Sequence, residues 1–244
     1  MEVIIKKEGD ATPPWPRISS GKQKTLTSSD MDTGKQFVIT ISREVGSGGR
    51  TIGRALAEKL GVRYCDKEVI NALVERYGYT PASIERIKGE KKNLFNEILS
   101  HVNPVPHPAG IGAVPNMYNY AVTNDDIFHT ESEVLKKLAS EQSCVIAGRS
   151  GFFILKDFPN KIDVFIHASL ETRIARVAEK QGKTRKEAEE IIHKVDQMRE
   201  NYVQRYTGTS RYDTRNYDLV LNVDNIDTDE AVDIILRFIA ASKD

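Results

Sequence analysis

The β-branched run Phe37-Val38-Ile39-Thr40-Ile41-Ser42 ends in a polar, glycine-rich turn from Arg43 to Gly49, and apolar residues then recur at Ile52, Ala55, Leu56 and Leu60. The spacing shifts from that of a buried strand to that of a helix, so the chain must make a strand, a tight loop and a helix in succession. Gly61 stands where a helix takes its C-terminal glycine, and Val62 to Cys65 reads as a second short strand finishing at Asp66. A strand, helix and strand in so short a span imply a parallel crossover.

The same alternation continues along the chain. Lys67 to Tyr77 carries a helical stripe of Val69, Ile70, Leu73 and Val74, and Thr80-Pro81 opens a further helix with a cap and a first-turn proline. A short helix is expected around Leu94 to Val102. Asn103 to Thr123, with Pro104, Pro106, Pro108 and Pro115, reads as a long loop of the functional or mobile kind. Asp125 to Ser140 is predicted helical, Ser143 to Ala147 a buried strand ending at Gly148-Arg149-Ser150, and Ile162 to His167 another strand. Ser169 caps the next helix, and Thr184 with Glu187 forms a capping box for a long charged helix running to about Tyr206. Asp218 to Val223 gives the last strand and Asp227-Thr228 starts a C-terminal helix. The fold class is therefore α/β, an open parallel sheet with helices on both faces. Residues 1–34, with Pro13, Pro14 and Pro16 and no apolar period, read as a flexible leader before one domain spanning 35–244.

Composition narrows the function. Lys plus Arg and Asp plus Glu are both 35 in 244 residues, so no global positive field exists to hold a nucleic acid polymer, although a local pocket for a small anion remains open. No apolar run approaches the roughly 18 residues of a membrane span. Cys65 and Cys144 are the only cysteines and form no Cys-x-x-Cys pair, which fits buried thiols in a reducing cytoplasm. His101, His107, His129, His167 and His193 show no metal-ligand spacing.

The loop Gly46-Ser47-Gly48-Gly49-Arg50-Thr51 lies between a strand and a helix, where free backbone N–H groups and the helix dipole hold phosphate. Against the pattern G-x-x-x-x-G-K-[ST], Gly49 and Thr51 match, Arg50 takes the lysine position and Glu44 stands where the first glycine belongs. Arginine offers a permanent charge and a bidentate fork to phosphoryl oxygens, and the Thr51 hydroxyl suits Mg2+. The plainer reading is a tight turn that needs its glycines. A dinucleotide site is a rival, since Asp66 ends the following strand, but the loop lacks the last Gly or Ala of G-x-G-x-x-G.

Ile41-Ser42-Arg43-Glu44-Val45-Gly46-Ser47-Gly48-Gly49-Arg50-Thr51-Ile52-Gly53 resembles the first motif of the cytidylate kinase-like branch of P-loop nucleoside monophosphate kinases. Tyr64 to Glu68, Cys144 to Arg149, Val164 to Ala168, Asp196 to Arg199, Tyr206 to Gly208 and Asn216 to Leu219 resemble later motifs in the same order. The resemblance runs from Phe37 to the C-terminus and is weakest between about 78 and 130. It implies a three-layer P-loop kinase fold, a helical acceptor-binding insert over about 78–130 and a lid over about 180–212.

The chemistry so implied is phosphoryl transfer from ATP, with Mg2+, to a nucleoside monophosphate, CMP or dCMP first. The acceptor phosphate is largely ionised near neutral pH, so alignment and charge neutralisation carry the catalysis. By the resemblance, Gly46, Ser47, Gly48 and Gly49 wrap the ATP phosphates, Arg50 bridges them and Thr51 approaches Mg2+. Asp66 orients the metal or contacts the acceptor, with a cap for the Lys67 helix as its alternative role. Arg149 takes the acceptor phosphate, or makes a plain ion pair, and Arg199 neutralises charge on the transferred group. Arg173, Arg176 and Arg205 rank behind these, because helices this charged are usually solvated. Cytidylate kinases carry acids where Ala147 and Ser150 stand here, so a catalytically weak nucleotide-binding protein and a kinase for another small metabolite are the alternatives.

Overall fold

The computed structural model describes residues 36–66, 71–72, 74–76, 78 and 123–242. The leader, the helices expected at Thr80-Pro81 and Leu94 to Val102, and the proline-rich stretch before Thr123 lie outside them.

Five strands, β1 (Val38–Arg43), β2 (Arg63–Cys65), β3 (Cys144–Ala147), β4 (Lys161–His167) and β5 (Leu219–Asn222), form one parallel sheet in the order β2-β3-β1-β4-β5. Thr40 lies beside Ile146 of β3 and Asp163 of β4, so β1 is the central strand. The connecting helices are α1 (Gly49–Leu60), α2 (Asn124–Glu141), α3 (Gly151–Ile154), α4 (Leu170–Gln181), α5 (Arg185–Thr207) and α6 (Thr228–Ala241).

Side chains alternate across the sheet and sort into two cores. Ile39, Ile41, Val145, Val164 and Ile166 pack against Ile52 and Leu56 of α1 and Ile235 and Ile239 of α6. Val38, Cys65, Cys144 and Ile146 face the other way, onto Ile127, Leu135 and Ala139 of α2 and Ile154 of α3. Helices on both faces of a parallel sheet make three layers, as expected from the continuous apolar strands. Each fully buried Ile or Leu contributes roughly 1.5–3 kcal/mol. Both cysteines are buried free thiols.

The element boundaries differ from expectation where side chains compete with the ladder. Phe37 donates its amide to Ser143 Oγ at 3.1 Å, so β1 starts at Val38 and β3 at Cys144. Asp218 accepts the Asp163 amide on its carboxylate at 2.7 Å, and β5 begins one residue later. Thr123 and Thr184 each form a capping box, with Asp126 and Glu187 as partners. Residues 71–72 and 74–76 are helical, within the helix expected from Lys67 to Tyr77. Of the expected insert, Asn124 to Thr130 form the first turns of α2. No helix among the described residues is long and apolar enough to cross a membrane.

Since all five strands are parallel, their C-terminal ends share one edge. Arg43, Asp66 and Gly148 stand on it or just beyond it, the place where ligands bind in such sheets.

Candidate functional site

The loop after β1 is held by glycine geometry and by a strut. Gly46 and Gly48 adopt φ of 81° and 85°, and a Cβ at Gly46 would stand 2.7 Å from the Arg173 carbonyl oxygen. These positions need glycine for backbone reasons, whatever binds above them. The Gly48 carbonyl accepts the amides of Thr51 and Ile52 at 2.8 and 3.1 Å and starts α1. Arg176 donates to the Ser47 carbonyl at 2.9 Å and to Val223 at 3.1 Å, tying the loop to the end of β5.

Beneath this loop the predicted arginines converge. Arg50 pairs with the buried Asp66 carboxylate at 3.0 Å, its own side chain remaining more than half exposed. Arg149 pairs with Glu131 at 3.3 Å, and Arg199 lies 3.7 Å from Asp196. A fourth arginine, Arg43, sits among them. Burial and the positive fields of Arg199, Arg149 and Arg50 push its guanidinium down to about 9, with Asp66 opposing. By sequence Arg43 opens the polar turn and lies within the first family motif, with no role of its own. Its place at the end of a buried strand is the signal that marks it, since that edge is the ligand side of a parallel sheet.

Asp196 is the second feature that spacing did not show. Its carboxylate accepts the Val45 amide at 3.1 Å, the Arg173 guanidinium at 2.7 Å and Arg211 at 3.4 Å. Arg173 also reaches Glu44 at 3.4 Å, and Glu44 accepts the Ala168 amide at 3.3 Å. Glu44, in the place of the first glycine, therefore belongs to a buried ionic frame. Arg211 donates as well to the Arg43 carbonyl. Arg173 and Arg176 are thus structural ties, a correction to their expected solvation, which arises because α4 packs directly against the loop. Arg205 pairs with Asp125 on the exterior, at 3.1 Å.

Glu131 links α2 to α5 and to Arg149. Fully buried, it accepts Tyr202 Oη at 2.8 Å and Arg149 at 3.3 Å. Burial, with Glu131 beside it, raises the Tyr202 hydroxyl well above its ordinary value, so it remains a donor. Phe128 stacks on Tyr206 with centroids 4.2 Å apart, and Tyr206 Oη donates to Asp125 at 2.7 Å.

Gly148, Arg149 and Ser150 have φ of 75°, 58° and 53°. Two consecutive non-glycine residues in this region cost roughly 1–2 kcal/mol each, strain of the kind that gathers at functional sites. Ser150 Oγ is buried without a hydrogen-bond partner among the described residues.

Thr51 is exposed on the first turn of α1, and Asp66 is buried nearby in the chain fold beside Arg50. Among the described residues no three His, Cys, Asp or Glu converge into a metal cage. Mg2+ bound chiefly through nucleotide phosphates needs only one or two protein oxygens, and Thr51 and Asp66 fit that requirement.

The chain is 26% identical over 212 residues to a cytidylate kinase of Archaeoglobus fulgidus, covering 84% of this chain and 96% of that one. It is 23% identical over 205 residues to a cytidylate kinase of Sulfurisphaera tokodaii, covering 83% and 95%. A crystal structure of a protein from Eubacterium ventriosum matches with a TM-score of 0.59 at 27% identity, covering 84% of this chain and 98% of that one. The model of the cytidylate kinase-like family matches residues 38–225, and the chain belongs to that family.

Proposed function

We propose that the protein transfers the γ-phosphoryl group of ATP to CMP or dCMP. The observation that supports this most directly is the gathering of Arg50, Arg149 and Arg199 around Arg43 at the C-terminal edge of the sheet, beside the glycine loop. In this reading Gly46, Ser47, Gly48 and Gly49 wrap the ATP phosphates, and Arg50 releases Asp66 to bridge them. Arg149, oriented by Glu131, takes the acceptor phosphate, and Arg199 stabilises charge on the transferred group. Thr51 and Asp66 would hold Mg2+, which supplies charge neutralisation on the phosphate oxygens. Residues of about 78–130 receive the acceptor and about 180–212 act as a lid, closing on the side where α5 meets Glu131 of α2 and the Val45 amide. Buried and unpaired among the described residues, the Ser150 hydroxyl is available to a bound acceptor.

The Arg50–Asp66 pair also favours a second reading, a nucleotide-binding protein of weak turnover, because the arginine meant for phosphate already has a carboxylate partner. ADP release from ATP and Mg2+ separates the two, measured with CMP, dCMP, UMP, AMP, GMP or no acceptor, with product mass confirmed. Turnover that depends on CMP or dCMP is the expected result. ATP binding with no turnover on any acceptor would overturn the kinase reading in favour of the second.

A further inference from the structure

Arg43 closes β1, and its stem runs under the glycine loop: a Cβ at Gly49 would stand 2.5 Å from the Arg43 Cβ. Its guanidinium ends on the other side, over Gly148, where a Cβ would collide with Nη1 and lie 2.9 Å from Cζ. One side chain thus spans from the loop that precedes α1 to the turn that carries Arg149. The guanidinium makes no hydrogen bond or ion pair with a described residue, although Asp66 acts on it at longer range. The charges that act on it are Arg199, Arg149 and Arg50, which lower its pKa, and Asp66, which opposes them. A half-buried guanidinium in the field of three other arginines, with no carboxylate paired to it among the described residues, favours an anion in the site.

We propose that Arg43 is a substrate-contacting catalytic residue, its guanidinium binding the equatorial oxygens of the phosphoryl group as it passes from donor to acceptor. This rests on the phosphotransfer reading above. The donor loop lies at the stem end of the side chain and Arg149 follows the glycine at its tip, so the side chain spans the interval between them and presents its guanidinium at the acceptor end. In the step, a bond forms between an acceptor phosphate oxygen and the γ-phosphorus while the bond from that phosphorus to the bridging oxygen breaks. The electron pair leaves with ADP, and Arg43 gives up no proton. Gly148 acquires a reason of its own: any side chain there would displace the guanidinium.

The test is Arg43→Ala, with Arg43→Lys as the companion that keeps most of the stem packed beneath Gly49. Circular dichroism and thermal melting establish that each variant is folded. The expected result is a fall in kcat of about 100-fold with a much smaller change in KM for ATP, as for loss of a transition-state donor. Methylguanidinium restores part of the Arg43→Ala rate and methylammonium does not, a response that a purely structural pillar does not give. A kcat within about threefold of the parent, or a loss that follows melting temperature and resists methylguanidinium, overturns the proposal. If the parent protein turns over no acceptor, the kinase reading fails separately, and calorimetric titration with inorganic tripolyphosphate tests Arg43 alone. Affinity about tenfold weaker in the variant then supports the anion contact, and equal affinity overturns it. Should Arg43→Ala fail to fold, Arg43→Lys is judged on kcat and on tripolyphosphate affinity, with the same deciding outcomes for those two measurements.

Discussion

A methyl group at Gly148 meets two obstacles, the left-handed φ of 75° and the Arg43 guanidinium already lying over that carbon. Gly148→Ala is therefore expected to lose about 1–3 kcal/mol of stability and to weaken tripolyphosphate binding with it, measured by urea unfolding and calorimetry. Arg50→Ala should weaken ATP binding by about 10- to 100-fold, the factor matching a charge-assisted hydrogen bond, in an equilibrium titration. Arg199→Ala should instead lower kcat with little change in KM, read from steady-state kinetics. Unchanged turnover in both arginine variants would remove the site assignment. At this scale the sequence was legible where residue type and local spacing suffice, as at Gly46 and Gly48 in the loop. Arg43 and Asp196 stayed hidden because their meaning lies in charges supplied by distant strands and helices, which no local window contains.

Among the elements, α5 carries the most consequence. Its middle residue Asp196 neutralises Arg173 and Arg211 under the glycine loop, and its C-terminal half docks on α2 through Tyr202 and Glu131. Removing one partner from a buried ionic frame leaves the others uncompensated, so Asp196→Ala should cost about 3 kcal/mol or more, read as a lowered urea midpoint. The existence and type of α1, α2, α4, α5 and α6 were readable, because apolar period and caps act within a few residues. The capping boxes at Thr184 and the cap at Ser169 form as expected. Strand order was not readable from those signals: nothing local says that β3 inserts between β1 and β2. That outcome follows from which faces the helices cover.

For the molecule as a whole, neutrality conceals a division of charge. Equal numbers of acidic and basic residues give no net field, yet four arginines meet at one edge of the sheet. Global composition speaks only to the net field and is blind to this local excess. Acid stability has its own local origin at the opposite end of the chain. Burial opposes ionisation of Asp224, yet hydrogen bonds from Thr172, Ser169 and Asn222 hold its carboxyl down to about 2. Its folded value lies below the unfolded value of about 3.9, so its contribution is present above pH 4 and lost as pH falls toward 2. The stability difference between the parent and Asp224→Asn should therefore shrink between about pH 5 and pH 2, measured by chemical denaturation across that range. The bond from the Val45 amide to Asp196 joins residues 151 positions apart, so the loop is tied down by a contact of very long sequence separation, of the kind that forms late. The Val45 amide is thus expected to report the completion of folding: in pulsed hydrogen exchange during refolding it should gain protection after the amides of β1, making the glycine loop mature later than the central strand it follows.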